Sequence, residues 1–133
     1  MSGDGTDLRT RGRRAEIVKL TVYHLAILLF TETALSGENL ESHSETERFE
    51  SADPALIEDA LARIDRAAPS AVDGSYDARW GLVFTAASGE RITALYLNRF
   101  GTRGELDGRT VTLADESLID WLREKYGADS VLS

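Results

Sequence analysis

Residues 79–113, RWGLVFTAASGERITALYLNRFGTRGELDGRTVTL, run directly into residues 114–127, ADESLIDWLREKYG, and the reading of this stretch decides the fold. Trp80, Leu82 and Phe84 alternate with Gly81, Val83 and Thr85, which gives the period of two that a strand requires. Ser88-Gly89 supplies a turn, and residues 91–97 return with Ile92, Ala94 and Tyr96 opposite Thr93, Leu95 and Leu97. Asp107-Gly108 is a two-residue hairpin signal between strands at 104–106 and 109–113, because both residue types tolerate positive φ. The period then changes to that of a helix. Asp115 stands at the N-cap, Arg123 and Lys125 lie in the last turn, Gly127 stops it, and Leu118, Trp121, Leu122 and Tyr126 form its buried stripe.

Working back along the chain, Asp53-Pro54 opens a second helix. The carboxylate caps free backbone N–H groups, and proline occupies the first turn, where a missing donor costs nothing. Leu56, Ile57, Ala60, Leu61 and Ile64 make the stripe of an amphipathic helix about fourteen residues long, which ends before Pro69. Residues 31–51, TETALSGENLESHSETERFES, hold no sustained period and are expected to be a long acidic surface loop. Residues 17–30, IVKLTVYHLAILLF, place Val18, Leu20, Val22, Ala26, Leu28 and Phe30 on one parity, with His24 the exception. This suits a strand that starts half exposed and ends buried, bulged near residues 24–26. The same run after Arg11, Arg13 and Arg14 also fits a targeting or anchoring segment over 11–36. Against this, its unbroken apolar part, 25–30, is far shorter than the roughly 20 residues of a spanning helix.

These elements give an α+β fold of two layers in the order β-α-β-β-β-α, one antiparallel sheet with two amphipathic helices packed on one face. A single domain over 15–127 is expected, between a flexible basic tail at 1–14 and a C-terminal tail at 128–133.

The chain carries a net charge of −8 and no cysteine. Duplex nucleic acid binding rests on lysine and arginine neutralising phosphates, so it is a poor reading of this balance. Thiol nucleophiles, thiolate metal sites and disulfides are excluded outright. Charge is also unevenly spread: residues 32–77 hold three basic groups against twelve acidic, whereas 79–113 hold five against three.

Two histidines, His24 and His43, are the available imidazole bases, and no GxSxG, HExxH, Walker or dinucleotide-binding pattern is present, so no catalytic constellation is expected. NRFGTRG at 98–104 brings arginines and glycines together but lacks the lysine-serine pair of a phosphate loop, and reads as a bend between strands. His43 with Glu41, Glu45 and Glu47 is a weak metal-ligand set, since one imidazole among carboxylates on a loop lacks a converging scaffold. No metal or cofactor is expected.

The remaining candidate is a protein-binding surface at Arg91, Arg99, Phe100, Arg103 and Arg109, where arginine and an aromatic meet near turns. The expected function is that of a non-catalytic, cytoplasmic acidic protein that binds another macromolecule. Small, acidic and cysteine-free, it has the profile of bacterial immunity or inhibitor proteins, an association of composition and not of motif. Two alternatives stand beside it: an exported or membrane-anchored envelope protein, and a small-ligand-binding domain with an apolar pocket lined by Tyr23, Trp80 or Tyr96. Oligomeric state and partner identity are open at this level.

Overall fold

The computed structural model describes residues 14–25, 36–42, 46–74, 76–114 and 116–126. They form one seven-stranded antiparallel sheet in the order β2-β1-β4-β5-β6-β7-β3. Its strands are β1 (Ile17–His24), β2 (Glu47–Ser51), β3 (Ser70–Ala71), β4 (Trp80–Ala86), β5 (Arg91–Leu97), β6 (Arg103–Leu106) and β7 (Arg109–Thr112). Three α-helices accompany it: α1 (Gly37–Ser42), α2 (Pro54–Ala67) and α3 (Ser117–Tyr126). The α+β architecture read from the sequence is therefore present. Its order is richer than β-α-β-β-β-α, because the meander has four strands and two further strands close the sheet edges.

The larger core lies between one face of the sheet and helices α2 and α3. Leu20, Val22, Trp80, Leu82, Phe84, Leu95 and Leu97 from the central strands meet Ile57, Ala60, Leu61 and Ile64 of α2 and Leu118, Ile119, Trp121 and Leu122 of α3. The Asp53 carboxylate caps α2 by accepting from the Ala55 N–H, and Ala68 ends it at φ 50° just before Pro69. Helix α2 carries the chain from β2 at one edge of the sheet to β3 at the other, where Ser70 and Ala71 pair with Thr112 and Val111. The Asp107-Gly108 turn has positive φ at both residues, 49° and 90°, as a two-residue hairpin needs. Asp107 also fixes it to β5 by accepting from the Ala94 N–H at 2.9 Å.

The opposite face carries a smaller core of Leu25, Leu40, Ala78, Val83 and Tyr96. Helix α1 supplies Leu40, which is wholly buried. It belongs to the stretch expected to be a loop. The described parts of 31–51 instead form α1 and the edge strand β2, with only residues 31–35 and 43–45 outside the description.

Three other expectations change. Val18 is exposed, not buried, because the β1–β4 register shifts between Ile17 and Lys19 and turns Ile17 into the core in its place. A register irregularity is found at the start of β1, whereas the one expected over 24–26 runs into residues outside the description, as do Ala26, Leu28 and Phe30. Arg14, assigned to the tail, is half-buried and makes a bidentate pair with Asp65 of α2 at 2.9 Å. The rest of both expected tails, the Asp115 cap and the Gly127 stop lie outside the described residues. Among the described residues, no helix is long and apolar enough to cross a membrane, and residues 17–24 of the candidate targeting segment are a strand of the sheet.

His24 ends β1 in an unusual setting. It is buried, stacks on Trp80 with ring centroids 4.0 Å apart, and its Nδ1 stands 3.6 Å from Glu47 Oε1, too far for a hydrogen bond. Burial lowers its pKa below the ordinary 6.5, and the nearby Glu47 carboxylate offsets this only in part. The unfolded chain therefore takes up a proton that the folded one resists, so stability should fall as pH drops below about 6.5. His24→Phe keeps the stack and removes the titration. Thermal melts between pH 7 and 5 are expected to fall more steeply for the wild type than for His24→Phe, and equal slopes would show that His24 does not feel its burial.

Candidate functional site

Strand β5 ends at Leu97, and residues 98–102 must turn the chain into β6. Asn98 organises that turn: its Oδ1 accepts from the Thr102 N–H at 3.0 Å, and its carbonyl accepts from the Gly101 N–H at 3.1 Å. Gly101 has φ +71°, and a Cβ there would stand 2.3 Å from Ile119 Cβ, so the loop lies directly on α3. Arg123, one turn further along the same face of α3, also holds it by donating to the Arg99 carbonyl at 2.8 Å. The Thr102 carbonyl accepts from the Leu113 N–H at 3.0 Å and from Thr112 Oγ1 at 3.1 Å. Fastened at each point, the loop presents Phe100 outward with 52% of its surface exposed. The Arg99 guanidinium sits 4.5 Å from the Phe100 ring centroid, within cation–π range.

The other three candidate residues do not join this pair. Arg91 opens β5 and reaches across to α1, where its guanidinium donates to Glu41 and, at 3.2 Å, to the Tyr96 hydroxyl. Tyr96 in turn donates to Glu41. Burial, followed by the Glu41 hydrogen bond, pushes the Tyr96 phenol well above its ordinary range. Arg91 is thus the arm that latches α1 to the sheet. Arg103 opens β6 with its guanidinium against the turn at Gly74, and exposed Arg109 pairs with Leu106 at the far end of the β6–β7 hairpin.

The Arg91 latch closes one wall of a cleft of about 690 Å³ beneath α1, lined by Glu38, Glu41, Arg91, Tyr96 and Glu105 among others. Of these, Glu105 accepts a hydrogen bond from the Tyr76 hydroxyl at 3.0 Å. The cleft's lining residues are mostly charged or hydroxyl-bearing, unlike those of the apolar pocket expected from Tyr23, Trp80 or Tyr96. Trp80 is packed in the larger core, Tyr23 is half-buried beside the smaller one, and only Tyr96 lines the opening.

Of the metal-ligand set, His43 and Glu45 lie outside the described residues, Glu41 is engaged by Arg91, and Glu47 faces His24. Tyr76 and Glu105 escaped the sequence reading, and Glu41 entered it only as a weak metal ligand, because their partners are far along the chain, 55 residues for the Glu41–Tyr96 contact. No family model matches the chain, and neither a curated protein nor a solved structure matches it.

Proposed function

We propose that this is a non-catalytic binding protein whose partner is another protein, engaged at the β5–β6 loop with Phe100 as the anchor. The supporting observation is an exposed aromatic on a loop held by hydrogen bonds to β7 and α3. Such an anchor loses little conformational freedom on binding, which lowers one of the costs of association. Arg99 beside the ring suits a partner whose apolar pocket has an acidic rim. An immunity- or inhibitor-type role fits this reading, since such a protein acts by occupying a surface and needs no chemistry of its own.

The test uses full-length protein as bait, with the retained protein then purified and titrated. Phe100→Ala is expected to weaken its affinity about 30-fold or more, the effect of losing an interface hot spot. Arg99→Glu should weaken it as well. Thermal stability should stay within about 0.5 kcal/mol of wild type for Phe100→Ala, because the ring is half exposed. A partner bound equally well by both variants would sink the assignment.

A further inference from the structure

The sheet has two edges of different kinds. At one, β7 is capped by the two residues of β3; at the other lies β2, five residues whose neighbour among the described residues is β1 alone. We infer that β2 pairs with β2 of a second copy of this chain, antiparallel and centred on Phe49, continuing the sheet across a two-fold axis.

The sequence of β2 is Glu-Arg-Phe-Glu-Ser, and its side chains are arranged to match their own two-fold image. A two-fold axis that joins antiparallel edges runs perpendicular to the sheet and keeps the helix layers of both copies on one side. Only registers that pair residues of equal parity are then allowed. With Phe49 on the axis, Arg48 stands opposite Glu50 of the second copy, and the same pair forms again on the other side of the axis. Sliding the strands by one allowed step sets Arg48 against Arg48, and sliding them the other way sets Glu50 against Glu50. Like charges directly opposite are destabilising and unlike charges favourable, so one register is selected and its neighbours are rejected. Arg48 and Glu50 are already aligned for this, joined through Arg48 Nε and Glu50 Oε2 at 3.0 Å and both exposed.

The other face of the strand agrees. Phe49 is half-buried, 5.1 Å from the Tyr126 ring at the end of α3, and would meet its symmetry mate there. Cross-strand aromatic pairs are among the favourable ones. Edge strands usually carry charge to block pairing with arbitrary neighbours; here the mixed signs disfavour neighbours that lack the complementary order, which the strand's own two-fold image has. A five-residue edge buries less than the roughly 1,200 Å² of a standard interface, so the dimer is expected to be weak, with a dissociation constant on the order of 10–100 µM.

Sedimentation equilibrium of the full chain, from about tenfold below to about tenfold above that range, should show the mass doubling. Arg48→Glu should remain monomeric throughout, and the exchange Arg48→Glu with Glu50→Arg should restore the dimer, with circular dichroism confirming that each variant folds. The native chain has no cysteine, so a disulfide reports register directly. Phe49→Cys, on the axis, should oxidise to a linked dimer, whereas Arg48→Cys, set opposite residue 50, should link far less. A wild type that stays monomeric at every concentration overturns the proposal, as it would if a foreign strand occupied this edge. So does a dimer unaffected by Arg48→Glu, or one that cross-links better through residue 48 than through 49.

Discussion

Gly104→Ala is expected to destabilise the protein by about 4 kcal/mol or more, an exceptional cost for a single methyl group, and to lower the melting temperature by roughly 15 °C. Gly104 pairs with Leu97 where β6 crosses β5. A Cβ at this position would lie 1.8 Å from the Tyr96 carbonyl oxygen and 3.1 Å from Leu97 Cα. Both obstacles are backbone, so no rotamer change relieves them; β6 must move off β5. That movement stretches the bond from the Asn98 N–H to the Arg103 carbonyl, now 2.8 Å, and opens the core over Leu97 and Val111. Gly108→Ala is the matched control. Its φ of +90° strains any side chain, but no atom lies within 4 Å of the added carbon, so it should cost only about 1–2 kcal/mol. Equal costs for the two variants in urea melts would mean that β5 and β6 do not approach as closely as described.

The same strand pair shows what could be read from the sequence. The Asp107-Gly108 hairpin, the Asp53-Pro54 start of α2 and the alternation of β4 are local signals, complete within a few residues, and each is present in the structure. Elements without such a signal were missed. Helix α1 is six residues long and buries a single large side chain, Leu40, so it has no stripe to find. Strand β2 has one apolar residue among charges because an edge strand borrows its order from its neighbour. Val18 was misplaced because a one-residue register shift reverses every facing before it, and nothing in the run of residues announces that shift.

The candidate site divides in the same way. Arg99 and Phe100 could be picked out because they fall between two legible strands. Their anchoring by Arg123 and Ile119 could not, since those contacts depend on where α3 docks. Arg91 looked like a surface cation for the same reason: its partner, Glu41, lies 50 residues away in a segment with no readable period.

The packing of α3 gives the second large effect. Trp121 is buried to 7% exposure, meets Tyr126 edge-on at 6.2 Å and lies under the Arg63 guanidinium of α2 at 5.3 Å. Trp121→Ala should therefore cost about 3–5 kcal/mol, the range for emptying a large aromatic from a core, and a change below roughly 0.5 kcal/mol would show that the ring is not packed there. The contact with Arg63 separates the aromatic's packing from its role in joining the two helices. Arg63 is held over the ring by Asp59, one turn earlier on α2, at 3.0 Å. If the guanidinium gains from the indole face, Arg63→Ala should cost less in a Trp121→Ala background than in the wild type, with a coupling of about 0.5–1 kcal/mol. Strict additivity would assign the weight of Arg63 to its Asp59 pair, and leave apolar contacts such as Leu61 and Leu122 to hold α2 against α3.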